Sequence, residues 1–168
     1  SMRCTRVSSG CDHCWHLKMA ARHTANPAIR DEIRVASAGH PPWLNHDALR
    51  MPPKWKAPQI VGVQFMGDLF HDDVPIEHIR AVWQAMAGCR LHTFVVLTKR
   101  PKRMCDVLMP YPFLTNVWLG VSVENQPAAY ERIPHLLATP AAKRWISVEP
   151  MLDQIIIEQK LPYLDWVV

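Results

Sequence analysis

No apolar run in the 168 residues approaches the roughly 20 that a membrane-spanning helix needs, so no such span is predicted. Nor does a secretion signal open the sequence, and the expected location is the cytoplasm. Charge of neither sign dominates. Nineteen Lys and Arg against 15 Asp and Glu leave a net +4, which tolerates an anionic ligand or nucleic acid without demanding either. Nine histidines add charge only at lower pH. Cysteine is scarce as well: five in all, three of them within the first fourteen residues. Disulfide scaffolds spread their cysteines through short secreted chains, so this clustering points to a metal site in a reducing compartment. Cys89 and Cys105 stand alone and read as small buried hydrophobes. What the chain has in quantity is apolar residues, 49% of the total, enough for the core of one domain.

Trp15–His23 contains good helix formers and no breaker, which predicts a short helix. From 26 to 58 the texture changes, with six of the fifteen prolines and Trp43 and Trp55 among them. That much proline excludes a long regular element, and the tryptophans argue for an ordered, irregular insertion. A rhythm then sets in. Apolar runs at 60–66, 92–97, 117–123 and 144–148 read as strands, and Leu164–Val168 as the start of a fifth. Between the first two, Asp72, Asp73 and Pro75 open a helix along which Ile76, Ile79, Trp83 and Met86 recur, and Gly88 ends it. Pro101–Leu108 reads as the next helix, and Asn125 and Pro127 open another that Pro134 is expected to split.

Strands that are apolar throughout and alternate with helices predict a parallel α/β sheet buried on both faces. Polar residues follow each strand: Gly67 and Asp68, then Thr98, Lys99 and Arg100, then Glu124 and Asn125, then Glu149. Ligands of parallel sheets bind at those carboxyl ends. Four such groups after four strands favour a partial (β/α) barrel over a doubly wound sheet. The run ending at Val168 leaves Trp166 without cover, so the barrel is expected to be truncated.

The strongest chemical signal is Cys4, Cys11 and Cys14. Two cysteines separated by two residues can present both sulfurs to one centre, and Gly10 lets the backbone fold close around it. Three thiolates suit an iron–sulfur cubane with one iron left open. A closed zinc site needs four ligands, and His13 or His16 could supply the fourth. The same residues also fit a loop of unliganded thiols. Lys99, Arg100, Lys102 and Arg103 crowd the start of the helix opened by Pro101, where the macrodipole disfavours cations. An anion is expected to offset them: a cofactor carboxylate, a phosphate or a nucleic-acid backbone.

The cysteine loop, with Gly67–His71, Leu97–Pro101, Trp118–Asn125 and Arg144–Pro150, resembles an uncharacterised family of phages and bacteria. Its members are regarded as three-cysteine relatives of radical S-adenosylmethionine enzymes, although the cysteines of those enzymes are usually spaced by three residues and then two rather than six and two. The resemblance implies a TIM-barrel-like fold truncated at both ends, cytoplasmic (the host cytoplasm for a phage protein). It implies that Cys4, Cys11 and Cys14 ligate a [4Fe–4S] cluster. The cluster would bind S-adenosylmethionine and cleave it reductively to a 5′-deoxyadenosyl radical acting on an unknown substrate. Gly67 and Asp68 would receive the methionine amino group, or Asp68 would cap a helix. Thr98, Lys99, Arg100, Ser122, Glu124, Asn125, Ser147 and Glu149 would line the rest of the cofactor site. The other reading is a zinc-stabilised binding module without catalysis, associated with nucleic acid or another phosphate-bearing partner.

Overall fold

The computed structural model describes residues 4–29 and 42–168. Five strands, β1 (Ile60–Val63), β2 (Thr93–Thr98), β3 (Val117–Ser122), β4 (Lys143–Ser147) and β5 (Trp166–Val167), form one sheet. They lie in the order β1-β2-β3-β4-β5, and every neighbouring pair is parallel. The sheet is not closed, so β1 and β5 are its edges. The order never reverses, which leaves out the switch point that defines a doubly wound sheet. Two helices precede the sheet, α1 (Trp15–Ala25) and the short α2 (His46–Arg50). Parallel neighbours need crossovers, and α3 (Ile76–Gly88), α4 (Pro101–Leu108) and α5 (Gln126–Ala138) supply the first three. A 3-10 turn at Glu158–Tyr163 lies in the fourth.

Alternation along the strands decides which face the helices cover. Phe94 and Val96, Val117, Leu119 and Val121, and Ile146 join Ile79, Trp83 and Met86 of α3, Met104 and Leu108 of α4, and Ile133 and Leu136 of α5 in one buried cluster. The opposite parity pairs Val95 with Trp118 in one row and Gly120, Trp145 and Trp166 in the next. Burial on that face is only partial, contrary to the expectation from strands apolar throughout. Trp145 is 4% exposed between the rings of Phe65 and Trp166, whereas Ile60 and Trp166 are 77% and 46% exposed.

Three elements depart from the sequence reading. β1 stops at Val63 because Gln64 adopts a left-handed conformation (φ 61°) that turns the chain out of the sheet. Pro134 does not split its helix, and α5 runs through to Ala138. The proline sits on the exposed side, so the one hydrogen bond it removes frees the carbonyl of exposed Tyr130 to water. The insertion is regular only in α2 and a 3-10 turn at Pro52–Lys54; its residues 30–41 lie outside the described set. Trp55 packs edge-on against His92, with centroids 5.4 Å apart, and His92 Nε2 donates to the Pro52 carbonyl at 2.9 Å. Trp43 is half-buried. No helix among the described residues is long and apolar enough to cross a membrane.

Candidate metal and cofactor site

The loop carrying Cys4, Cys11 and Cys14 lies over the carboxyl ends of the strands. A cavity of about 410 Å³ is lined by all three cysteines together with Gly67, Asp68, Thr98, Lys99, Arg100, Ser122, Ser147 and Glu149. Glu124 and Asn125 do not line it. Asn125 instead caps α5, accepting the Ala128 N–H at 2.9 Å, and its amide reaches Ser9 at 3.5 Å.

Cys11 and Cys14 sit at a 3-10 turn, Ser9–His13, closed by Cys11 N–H to the Ser8 carbonyl (2.9 Å) and Cys14 N–H to the Cys11 carbonyl (3.2 Å). Burial pushes the Cys11 thiol up. Donors at Val7 and Ser8 and the nearby Lys99 ammonium outweigh it and hold the thiol below its ordinary value. Cys4 moves the other way: burial and then the Asp68 carboxylate raise it, against Arg100. Gly10 is required by close approach, since a Cβ there would lie 2.8 Å from Lys99 Nζ and 3.0 Å from Glu124 Cδ. Cys89 and Cys105 are buried away from this loop, as small hydrophobes would be.

The basic cluster is answered from within the protein. Asp68, 3% exposed, accepts from Arg100 at 3.0 Å through Oδ2. Its Oδ1 accepts from Thr98 Oγ1 (2.7 Å) and the Phe70 N–H (2.9 Å). Arg100 also pairs with Asp72 at 3.5 Å and donates to Thr5. Lys99 donates to Glu124 (3.2 Å), Lys102 to Asp106 (2.8 Å), and Arg103 to the His71 and Val74 carbonyls. Each of these four cations thus has an acceptor within the protein. Asp68 is thereby engaged in a turn and a buried ion pair.

Three residues that sequence reasoning passed over organise the site. Arg132, 2% exposed within α5, grips both oxygens of Glu124 (2.8 and 3.1 Å) and the Ser122 carbonyl (2.8 Å). Burial would push the Glu124 carboxyl up, but Arg132, Ser8 and Lys99 together hold it below the ordinary glutamate range. Arg132 stands four residues from both Ala128 and Leu136, on the apolar face of α5, and that spacing was the available signal. Thr5 and His71 carry none. Ser147 Oγ donates to Glu149 at 3.3 Å, beside Ser122 in register on the neighbouring strand.

His16 also faces the cavity. It is 6% exposed, its Nδ1 has no partner in the described structure, and burial lowers its pKa. Among the described residues no three His, Cys, Asp or Glu side chains gather tightly enough to hold a single ion. Along its whole length, residues 1–168, the chain matches the family described as "Protein of unknown function (DUF5131)". It belongs to that family. No curated protein and no solved structure matches. The family description names no activity.

Proposed function

We propose that the protein is a radical S-adenosylmethionine-like iron–sulfur protein whose open sheet is an arc of a (β/α) barrel. The single observation that carries the reading is the convergence of three cysteines and four strand ends on one cavity. The residues present fit the group. Cys4, Cys11 and Cys14 would hold a [4Fe–4S] cluster through three thiolates, leaving one iron open. A closed site for a single zinc ion would need a fourth ligand beside the three thiolates. When bound, such a cluster supplies one-electron reduction of S-adenosylmethionine. The chain's own part is to enclose and orient: Ser122, Ser147 and Glu149 offer two hydroxyls and a carboxylate in the cavity that the cysteines line. The sequential strand order supports the barrel arc, because each strand of a barrel pairs with its neighbours in sequence.

Anaerobic reconstitution with iron and sulfide tests this. About four irons per chain are expected, with brown colour and loss of uptake in Cys11→Ala and Cys14→Ala. Tight zinc binding without sulfide, and no response to S-adenosylmethionine, would replace the reading with a zinc-stabilised module. His16 favours that second reading, as a buried imidazole whose Nδ1 has no partner in the described structure and which lines the same cavity as the thiols.

A further inference from the structure

The two halves of the cysteine loop are built differently. The Cys11–Cys14 half closes its own turn through backbone hydrogen bonds. Cys4 precedes three exposed residues, Thr5, Arg6 and Val7, with no turn of its own. It is tied to the sheet through Thr5. Arg100 donates to Thr5 Oγ1 at 2.8 Å and to the Thr5 carbonyl at 3.3 Å. His71 reaches the same hydroxyl at 2.9 Å, and its Nδ1 accepts the Asp73 N–H at 3.1 Å. The neutral ring then carries its proton on Nε2 and donates it to Thr5. With both lone pairs of Oγ1 taken, the hydroxyl hydrogen of Thr5 is left for an acceptor in the cavity that Thr5 lines. Behind Thr5 the fork is fixed, because Asp68 holds Arg100 and is itself held by Thr98 and Phe70.

We infer that Thr5 is a positioning residue that clamps Cys4 into the cavity through Arg100 and His71. The inference rests on reading the three cysteines as ligands of one centre. Fixing one of three ligands in advance removes an ordering cost that assembly would otherwise meet. Thr5 is exposed and lies outside the hydrophobic core, so trimming its hydroxyl removes hydrogen bonds and no core packing.

The test uses the whole chain with Thr5→Val and Thr5→Ser, metal-free and reduced, with Cys4 alkylation by iodoacetamide followed by peptide mass spectrometry. The buried Cys89 and Cys105 serve as internal controls. Thr5→Val should speed Cys4 modification about five- to tenfold, the factor given by losing roughly 1 to 1.4 kcal/mol of hydrogen bonding. The control cysteines should not change, and Thr5→Ser should return to the parent rate. Iron uptake after reconstitution should fall in Thr5→Val and recover in Thr5→Ser. An unchanged Cys4 rate in Thr5→Val, no rescue by Thr5→Ser, or equal acceleration at Cys89 and Cys105 would each overturn the clamp. If Cys4 responds as expected but no variant, nor the parent, takes up iron, the clamp stands and the iron–sulfur reading falls.

Discussion

Gly120→Ala is the sharpest test of how the sheet is packed. Gly120 lies mid-strand in β3, paired with Leu97 on one side and Trp145 on the other. A Cβ there would sit 2.6 Å from Trp145 Cδ2, with Cε2 and Nε1 nearer still. Carbon atoms pack at about 3.5–4.0 Å, so the indole must retreat by about 1 Å. It has little room, since Trp145 is 4% exposed and Trp166 lies against it with centroids 5.2 Å apart. Overpacking of this kind costs about 1–3 kcal/mol, and the crowding on both sides argues for the upper half of that range. For a chain of this length, a loss of about 2–3 kcal/mol lowers Tm by about 4–12 °C. Gly88→Ala is the matched control. Nothing lies within 4 Å of its added Cβ, and it should be neutral or stabilising by up to about 1 kcal/mol. Urea unfolding followed by circular dichroism and by tryptophan emission reads both variants. If Gly120→Ala unfolds within about 0.5 kcal/mol of the parent, the indole is not pinned over this glycine and the packing argument is wrong.

Arg132→Met should cost about 3 kcal/mol, because it leaves the buried Glu124 carboxylate held by Lys99 without its bidentate partner; adding Glu124→Gln should recover much of that loss in the same unfolding assay. The Glu124 carboxyl is held below its unfolded value, so its contribution is present above the ordinary glutamate range and lost as pH falls through the folded pKa. A Tm–pH profile should therefore drop more steeply on the acid side in the parent than in the Glu124→Gln, Arg132→Met pair. Asn125→Ala removes the side-chain acceptor at the start of α5 and should lower stability by about 1 kcal/mol in denaturant titrations.

Local signals in the sequence carried most of the elements. Pro101 and Leu108 bound a helix where proline sets the first turn and apolar spacing sets its length, and the runs around Val96, Leu119 and Ile146 became neighbouring parallel strands. What stayed hidden depends on contacts far apart along the chain. Nothing near Arg100 announces that its partner is Asp68, 32 residues earlier, or that Thr5, 95 residues earlier, completes the fork. The clustering of cations at 99–103 was legible, but their acceptors were not, because the answering oxygens come from four different stretches of chain. The cysteine spacing was visible at once; its seat over the strand ends follows from Gly10 meeting Lys99 and Glu124, which only the fold brings together.

The neighbour-to-neighbour strand order has a kinetic consequence. Successive strands begin at residues 60, 93, 117, 143 and 166, so each ladder closes over a few tens of residues and no pairing waits for a distant part of the chain. Such a sheet can grow outward from a single seed. The six-residue strands β2 and β3 share five register pairs, whereas β5 adds only two to β4. Amide hydrogen exchange should accordingly be slowest at Val96, Leu119 and Val121, with protection falling away by steps toward Ile60 on one side and Trp166 on the other.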